Sequence, residues 1–182
     1  MKKLRDIKYL PENATYDEIS SPVGRLTIIT SAKGLHAVLW ENDRANPTIE
    51  KMISSLKQSE NEPTIVRTKM QLTEYFQGKR KMFDLPLILN GTDFQIQVWK
   101  QLIGIPYSMT ISYAEQAEKI GNKNKARAVG TANGVNPIPI IIPCHRVIGS
   151  NGHLTGFGGG LQNKAFLLQL EKNQTRDHHE CH

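Results

Sequence analysis

Cysteine is nearly absent from this sequence: Cys144 and Cys181 are the only two. That excludes a disulfide framework and a multi-cysteine zinc site. No stretch approaches the ~18 consecutive apolar residues that cross a bilayer, and the charged start Met1-Lys2-Lys3-Leu4-Arg5 has no apolar segment behind it. A membrane location is therefore not expected, and a cytoplasmic one is. Carboxylates are missing from one long window. Between Lys119 and Leu170 there is no Asp or Glu, yet Lys119, Lys123, Lys125, Arg127, Arg146 and Lys164 fall within it. An acid-free interval bearing cations points to a polyanionic partner. The formal charge of +6 and pI near 9.3 permit nucleic-acid binding without requiring it.

What is present is ordinary for a globular protein. The 182 residues, 38% of them hydrophobic, suffice for one sizeable core or two small ones. The first half reads as a small α/β unit. Leu26 to Thr30 and Leu35 to Trp40 are strand-like, with a hairpin turn over Ser31 to Gly34. Pro47 suits the first turn of a helix carrying Ile49, Met52, Ile53 and Leu56. A second helix is expected over Ile65 to Gln77, stopping at Gly78. Phe83, Leu85, Leu87 and Leu89 alternate as in an edge strand, the edge being suggested by Pro86. His36 lies within a strand pattern and reads as structural.

Asn90-Gly91 marks a domain boundary, giving an amino-terminal α/β domain at 1–90, a second domain at 91–173 and a flexible tail at 174–182. Thr92 or Asp93 caps a helix bearing Phe94, Val98, Trp99 and Leu102, which ends at Gly104. Ser112-Tyr113-Ala114-Glu115 matches a capping box, and its helix should end at Gly121. Asn122 or Asn124 opens another helix that runs through Asn133. Two short helices joined by a glycine turn fit the outline of a helix-turn-helix, and equally that of a plain helical hairpin with solvated charges. The second helix sets Arg127 and Thr131 four residues apart on one face, with Lys123 and Lys125 near its start.

The stretch from Asn136 to Glu171 organises the rest. Ile138 to Ile142 is an apolar β-branched run read as a buried extended segment, and Pro143 closes it to deliver Cys144 to a fixed place. A thiol flanked by His145 and Arg146 has neighbours that favour the reactive thiolate. On the residues alone a second reading stands beside this one, a small buried hydrophobe with a hydrogen-bonded core histidine. Leu161 to Lys172 has helical spacing that sets Glu171 on the flank of its apolar stripe, where a carboxylate needs a partner such as His145.

Arg127-Ala128-Val129-Gly130, Asn136-Pro137, Ile142-Pro143-Cys144-His145-Arg146-Val147-Ile148-Gly149 and Gly159-Gly160-Leu161, with Leu167-Leu168 to Glu171, together resemble the signature of the O6-alkylguanine-DNA alkyltransferases. Phe94 to Trp99, Ile105-Pro106-Tyr107 and Ser21-Pro22-Val23-Gly24 are similar to the same family, so the resemblance spans nearly the whole chain. It implies a ribonuclease-H-like amino-terminal domain and a mostly helical, winged-helix-like carboxy-terminal domain with a helix-turn-helix. The implied reaction is irreversible transfer of an alkyl group from O6-alkylguanine, and more weakly from O4-alkylthymine, in double-stranded DNA to a cysteine. A monomer without metal or organic cofactor would carry it out, one turnover per molecule.

The resemblance also assigns roles. Cys144 is the nucleophile, His145 takes its proton through water, and Glu171 orients the imidazole. Arg127 fills the place of the extruded base and Tyr113 helps turn the nucleotide, its hydroxyl meeting guanine N3. Asn136 holds the turn before the active-site segment. Ser112, Lys123, Lys125, Ala126 and Thr131 complete the DNA-facing set. Val147, Phe157, Gly158 and Gly159 line the base pocket, Gly158 donating an N–H toward O6. The chain departs from the family pattern at Ser108-Met109, where Gly-Glu is frequent, and at Phe157 and Gly158, where tyrosine and serine or alanine occur. Zinc-binding residues of some relatives are absent. The tail Asp177-His178-His179-Glu180-Cys181-His182 is read as a flexible end rather than a metal site. Two other functions remain for comparison: a lesion-binding module without transfer, which Cys144 argues against, and a thiol hydrolase, which would turn over repeatedly.

Overall fold

The computed structural model describes residues 10–176, and these fall into two compact units that meet between Asn90 and Gly91. The first is built on a sheet of order β3-β2-β1-β4. Strands β1 (Thr15–Ser21), β2 (Gly24–Ser31) and β3 (Gly34–Trp40) form an antiparallel meander, while β4 (Lys57–Gln58) lies parallel to β1. Every residue of β3 is buried, so its apolar run is covered on both faces. Alternate residues Ile29, Ala37 and Leu39 pack with Ile49 and Ile53 of α1 (Pro47–Ser54). Asn46 caps α1 through the Thr48 N–H. Helix α2 (Pro63–Phe76) packs on the strands as well, and His36 is buried with Nε2 2.8 Å from Ser31 Oγ.

Two expectations for this unit need correction, the placing of Leu56 on α1, which ends at Ser54, and a strand over residues 83–89; strand β1 was not expected at all. Strand β1 was not legible, because its Thr-Tyr-Asp-Glu-Ile-Ser-Ser sequence lacks a clean apolar alternation; its acids serve ion pairs, Asp17 with Lys69 and Glu18 with Arg44. Residues 83–89 do not form a strand. They make one bridge, Leu87 to Leu35, flanked by Leu35 N–H to Pro86 O at 2.8 Å and Ile88 N–H to Leu35 O at 2.9 Å. Within the stretch Asp84 bonds to a side chain instead: Gln71 of α2 both donates to Asp84 O and accepts from Asp84 N–H, each at 2.9 Å. Gly34 is required here, since a Cβ would lie 2.3 Å from Pro86 O.

The second unit contains α3 (Asp93–Ile103), α4 (Tyr113–Lys119), α5 (Ala126–Gly134) and α6 (Leu161–Arg176), with a two-stranded parallel ribbon of β5 (Ile111–Ser112) and β6 (Val147–Ile148). Capping boxes start two helices, Thr92 with Gln95 on α3 and Ser112 with Glu115 on α4. The approach to α5 is a 3-10 turn over Lys123–Lys125, capped by Asn122. Trp99 Nε1 donates to Ala132 O at 2.9 Å, and the buried amides of Gln116 and Asn133 bond each other, tying α3, α4 and α5 together. Helix α6 continues past residue 173 to Arg176, so the expected tail begins later than 174; the rest of that tail lies outside the described residues.

The apolar run 138–142 is buried as expected, but it is not extended. It folds back on itself: Ile142 N–H donates to Ile138 O at 2.9 Å and Ile140 takes φ +74°. A β-branched residue in the left-handed region is strained by about 1–3 kcal/mol. Asn136 holds the turn from both sides, its Nδ2 donating to Ile142 O at 2.8 Å and its Oδ1 accepting from Ile138 N–H at 3.0 Å.

Candidate active site

Pro143 ends that turn, and a single 3-10 turn over Cys144–Arg146 follows, so three adjacent side chains diverge rather than alternate. Cys144 is buried at 6% exposure, beneath a backbone bond from its N–H to Ile142 O at 2.8 Å. His145 points to α6, where its Nε2 lies 2.8 Å from Glu171 Oε1, both residues being wholly buried. Arg146 also turns to Glu171, with Nε 3.0 Å from Oε2 and one terminal nitrogen 2.9 Å from Oε1. Its other terminal nitrogen donates to Ile105 O at 2.6 Å, and its guanidinium lies 5.6 Å from the Tyr107 ring. Ser108 N–H supplies a further bond to Glu171 Oε2 at 2.9 Å, and Tyr107 Oη donates to Gln174 Oε1 at 2.7 Å.

These contacts fix protonation states. Burial alone would raise the Glu171 pKa, but hydrogen bonds from His145 and Arg146 and the neighbouring positive charge hold it down at about 2. A carboxylate only accepts, so His145 carries its proton on Nε2 and presents Nδ1 as a lone pair. Burial lowers the His145 pKa more than Glu171 raises it, leaving the ring neutral near pH 7. His145 helps to hold Glu171 ionised through its Nε2–H bond, and the Arg146 guanidinium adds a fixed positive charge beside it. His145 Nδ1 is buried and has no hydrogen-bond partner among the described residues. A neutral base is thus set beside a thiol in sequence and oriented from behind.

Arg146 is consequently not the thiol's cation, which corrects the reading of its charge from sequence. Of the six cations in the acid-free window, Arg146 and Lys164 are buried, while Lys119, Lys123, Lys125 and Arg127 are exposed. Arg127 and Thr131 stand on one exposed face of α5, linked by Thr131 Oγ1 donating to Arg127 O at 3.1 Å. Lys125 lies 5.2 Å from the Phe94 ring, and Ala126 is half-buried at the start of α5. Ser112 uses its hydroxyl to cap α4, accepting from Glu115 N–H at 3.1 Å. Tyr113 follows it, its ring near Gly130 of α5 and its hydroxyl donating to Thr155 O at 3.1 Å.

Val147 is buried in β6, Phe157 and Gly158 are half-buried, and Gly159 is buried with its carbonyl accepting from Asn163 Nδ2 at 3.0 Å. Ser108, at the position where glycine is frequent, takes φ +65°, so the loop keeps a glycine-type conformation at some strain. Sequence reasoning gave Tyr107 and Ser108 no site role and counted Lys164 among the cations for a polyanionic partner, which its complete burial corrects. The signal for Lys164 was available: 164, 167, 168 and 171 follow the i, i+3, i+4, i+7 rule, which sets a lysine in the buried stripe of α6. Among the described residues no group of three or more His, Cys, Asp or Glu is placed to hold a metal ion.

Comparison with known proteins bears on this geometry. Residues 14–89 match the family model for the 6-O-methylguanine DNA methyltransferase ribonuclease-like domain, and residues 93–173 that for the DNA binding domain of the same proteins. The chain belongs to the 6-O-methylguanine DNA methyltransferase family. A methylated-DNA–protein-cysteine methyltransferase of Methanosarcina barkeri is 46% identical over 88% of this chain and 99% of its own length. The crystal structure of Mycobacterium tuberculosis O6-methylguanine methyltransferase matches with a TM-score of 0.79 at 44% identity, covering 88% of this chain and 94% of that one. A structure of that mycobacterial methyltransferase in complex with DNA matches with a TM-score of 0.78 and the same identity and coverage. The two units of this methyltransferase-family chain thus correspond to a ribonuclease-like domain and a helical DNA-binding domain. No helix among the described residues is long and apolar enough to cross a membrane.

Proposed function

We propose that this protein repairs DNA by transferring the alkyl group of O6-alkylguanine in duplex DNA to Cys144, once per molecule, with O4-alkylthymine a weaker substrate. The observation that carries the proposal is that His145, the residue after Cys144, is buried and bonded to Glu171 of α6, in a family of methyltransferases. In the reaction the Sγ–carbon bond forms as the carbon–O6 bond breaks. His145 Nδ1 receives the thiol proton through water, and the guanine leaves with the electron pair of the broken bond and takes a proton at N1 from solvent, which gives its lactam form. Glu171 orients the imidazole, and Asn136 keeps the active-site turn in register.

Exposed Arg127, Lys123 and Lys125 suit phosphate contact and occupation of the vacated stack, and Thr131 and Ala126 share that element. Ser112 contributes by capping the helix that begins with Tyr113, whose hydroxyl meets guanine N3. Val147, Phe157, Gly158 and Gly159 form the base-binding wall. Val147 O already accepts from Lys164, but a carbonyl has a second lone pair for the guanine edge. Transfer leaves a thioether, a poor leaving group, so turnover stops; the protein acts as a cytoplasmic monomer.

Stoichiometry tests the proposal. With radiolabelled O6-methylguanine duplex in excess, label on the protein plateaus at about one per molecule and is lost in Cys144→Ala. Sustained turnover would instead support a hydrolase, and binding without transfer a lesion-recognition module.

A further inference from the structure

Two buried side chains of the second unit carry positive charge. Arg146, 5% exposed, has Glu171 as its partner. Lys164 is wholly buried, yet among the described residues no carboxylate pairs with it. Its Nζ donates to Val147 O at 2.6 Å and Thr155 O at 3.0 Å, and lies 3.4 Å from Tyr113 Oη. The Tyr113 and Phe157 ring centroids are 5.6 and 5.9 Å away. Carbonyl dipoles and ring faces favour an ammonium, but none brings a countercharge, and a buried ion without one is strongly disfavoured. Burial raises the Tyr113 pKa, which keeps its hydroxyl neutral, and the thiol of Cys144, three residues before Val147 on the same short segment, is the other acidic group of this region.

Resting on the reading of Cys144 as nucleophile, we propose that Lys164 is the counter-ion of the Cys144 thiolate, held in place by the Val147 and Thr155 carbonyls. The second unit then contains two balanced buried pairs, Arg146 with Glu171 and Lys164 with Cys144. His145 completes proton transfer, while Lys164 stabilises the ionised sulfur. Burial lowers the Lys164 pKa to about 8, and negative charge on Cys144 opposes that shift. The titratable and charged groups around the ammonium are Cys144 from the 3-10 turn, Tyr113 from α4 and His145, which Lys164 helps keep neutral. Lys164 is a positioning residue by this reading, acting on the sulfur rather than on the alkyl group.

The test needs no DNA. In a Cys181→Ser background, the pH dependence of Cys144 alkylation by iodoacetamide, in which the Sγ–carbon bond forms and iodide leaves, reports the thiolate fraction. Lys164→Met keeps the stem and removes the charge. The midpoint should rise by roughly one pH unit, with alkylation near neutral pH slowed about tenfold and restored at alkaline pH. A side chain that only packs would not give alkaline recovery, and an unmoved midpoint overturns the pairing. The reciprocal variant Cys144→Ser covers the case in which Lys164→Met does not fold. Its Lys164 ammonium, followed by carbon NMR at Cε, should titrate lower than in the parent protein, and an unchanged titration overturns the proposal equally. Failure of methyl transfer from DNA with the iodoacetamide shift intact would remove the repair function and leave the ion pair standing.

Discussion

At the residue scale, the decisive group is Glu171, which serves His145, Arg146 and Ser108 N–H at once. Its folded pKa of about 2 lies below the usual 4.5, so its stabilisation is fully present above pH 4.5 and is lost as pH falls toward 2. The shift corresponds to a contribution on the order of 3 kcal/mol. His145 acts in the same direction: its folded pKa is lowered, so the stability it contributes is present above the usual 6.5 and declines as pH falls below it. Acid unfolding followed by fluorescence should therefore begin in the histidine range and steepen below pH 4.5. Glu171→Gln would leave Arg146 buried without its partner. We expect a loss of about 3–5 kcal/mol in urea denaturation, together with loss of that acid limb. A loss under about 1 kcal/mol would show that the carboxylate does not hold this network.

At the element scale, α5 and the turn that follows it do different work. Arg127 is exposed on α5, where its carbonyl accepts from Thr131 Oγ1. Arg127→Ala should slow repair of duplex DNA by about tenfold or more while sparing reaction with free O6-alkylguanine base, because only the duplex requires base extrusion, at a few kcal/mol. Equal slowing on both substrates would remove that role. Asn136 belongs to the turn itself, where its amide offsets the strain at Ile140. Sequence periodicity read the run 138–142 as extended because five apolar residues, four of them isoleucine, carry no local turn signal other than Pro139. The reversal is dictated by a side chain two residues upstream of the run, which a window over the run does not contain.

At the scale of the whole molecule, the charge of +6 is distributed unevenly, and part of it is internal. Lys119, Lys123, Lys125 and Arg127 remain on the surface, whereas Arg146 and Lys164 do not. Binding to undamaged duplex should weaken linearly on a log–log plot against salt, and Lys123→Ala combined with Arg127→Ala should reduce the slope by about 0.9 for each phosphate contact removed. A slope unchanged by both substitutions would place the electrostatic contact elsewhere. The same variants leave the buried pairs untouched, so iodoacetamide reactivity of Cys144 serves as the internal control for integrity.

The helices of both units were legible in the sequence because their caps, glycine stops and 3.6-residue spacing are local: Thr92, Ser112, Pro47 and Gly78 announce them without help from distant residues. Cys144, His145 and Glu171 stood out as a chemical set for the same reason, through one short motif and one acid breaking a long acid-free run. Tertiary structure alone decided which partner each charge received. Arg146 and Lys164 are both cations of the acid-free window that contains Cys144, yet one turns to Glu171 and the other to carbonyls from β6 and the glycine-rich loop. That choice depends on which groups share a water-excluded interior, and burial is a property of the packed chain rather than of any segment of it.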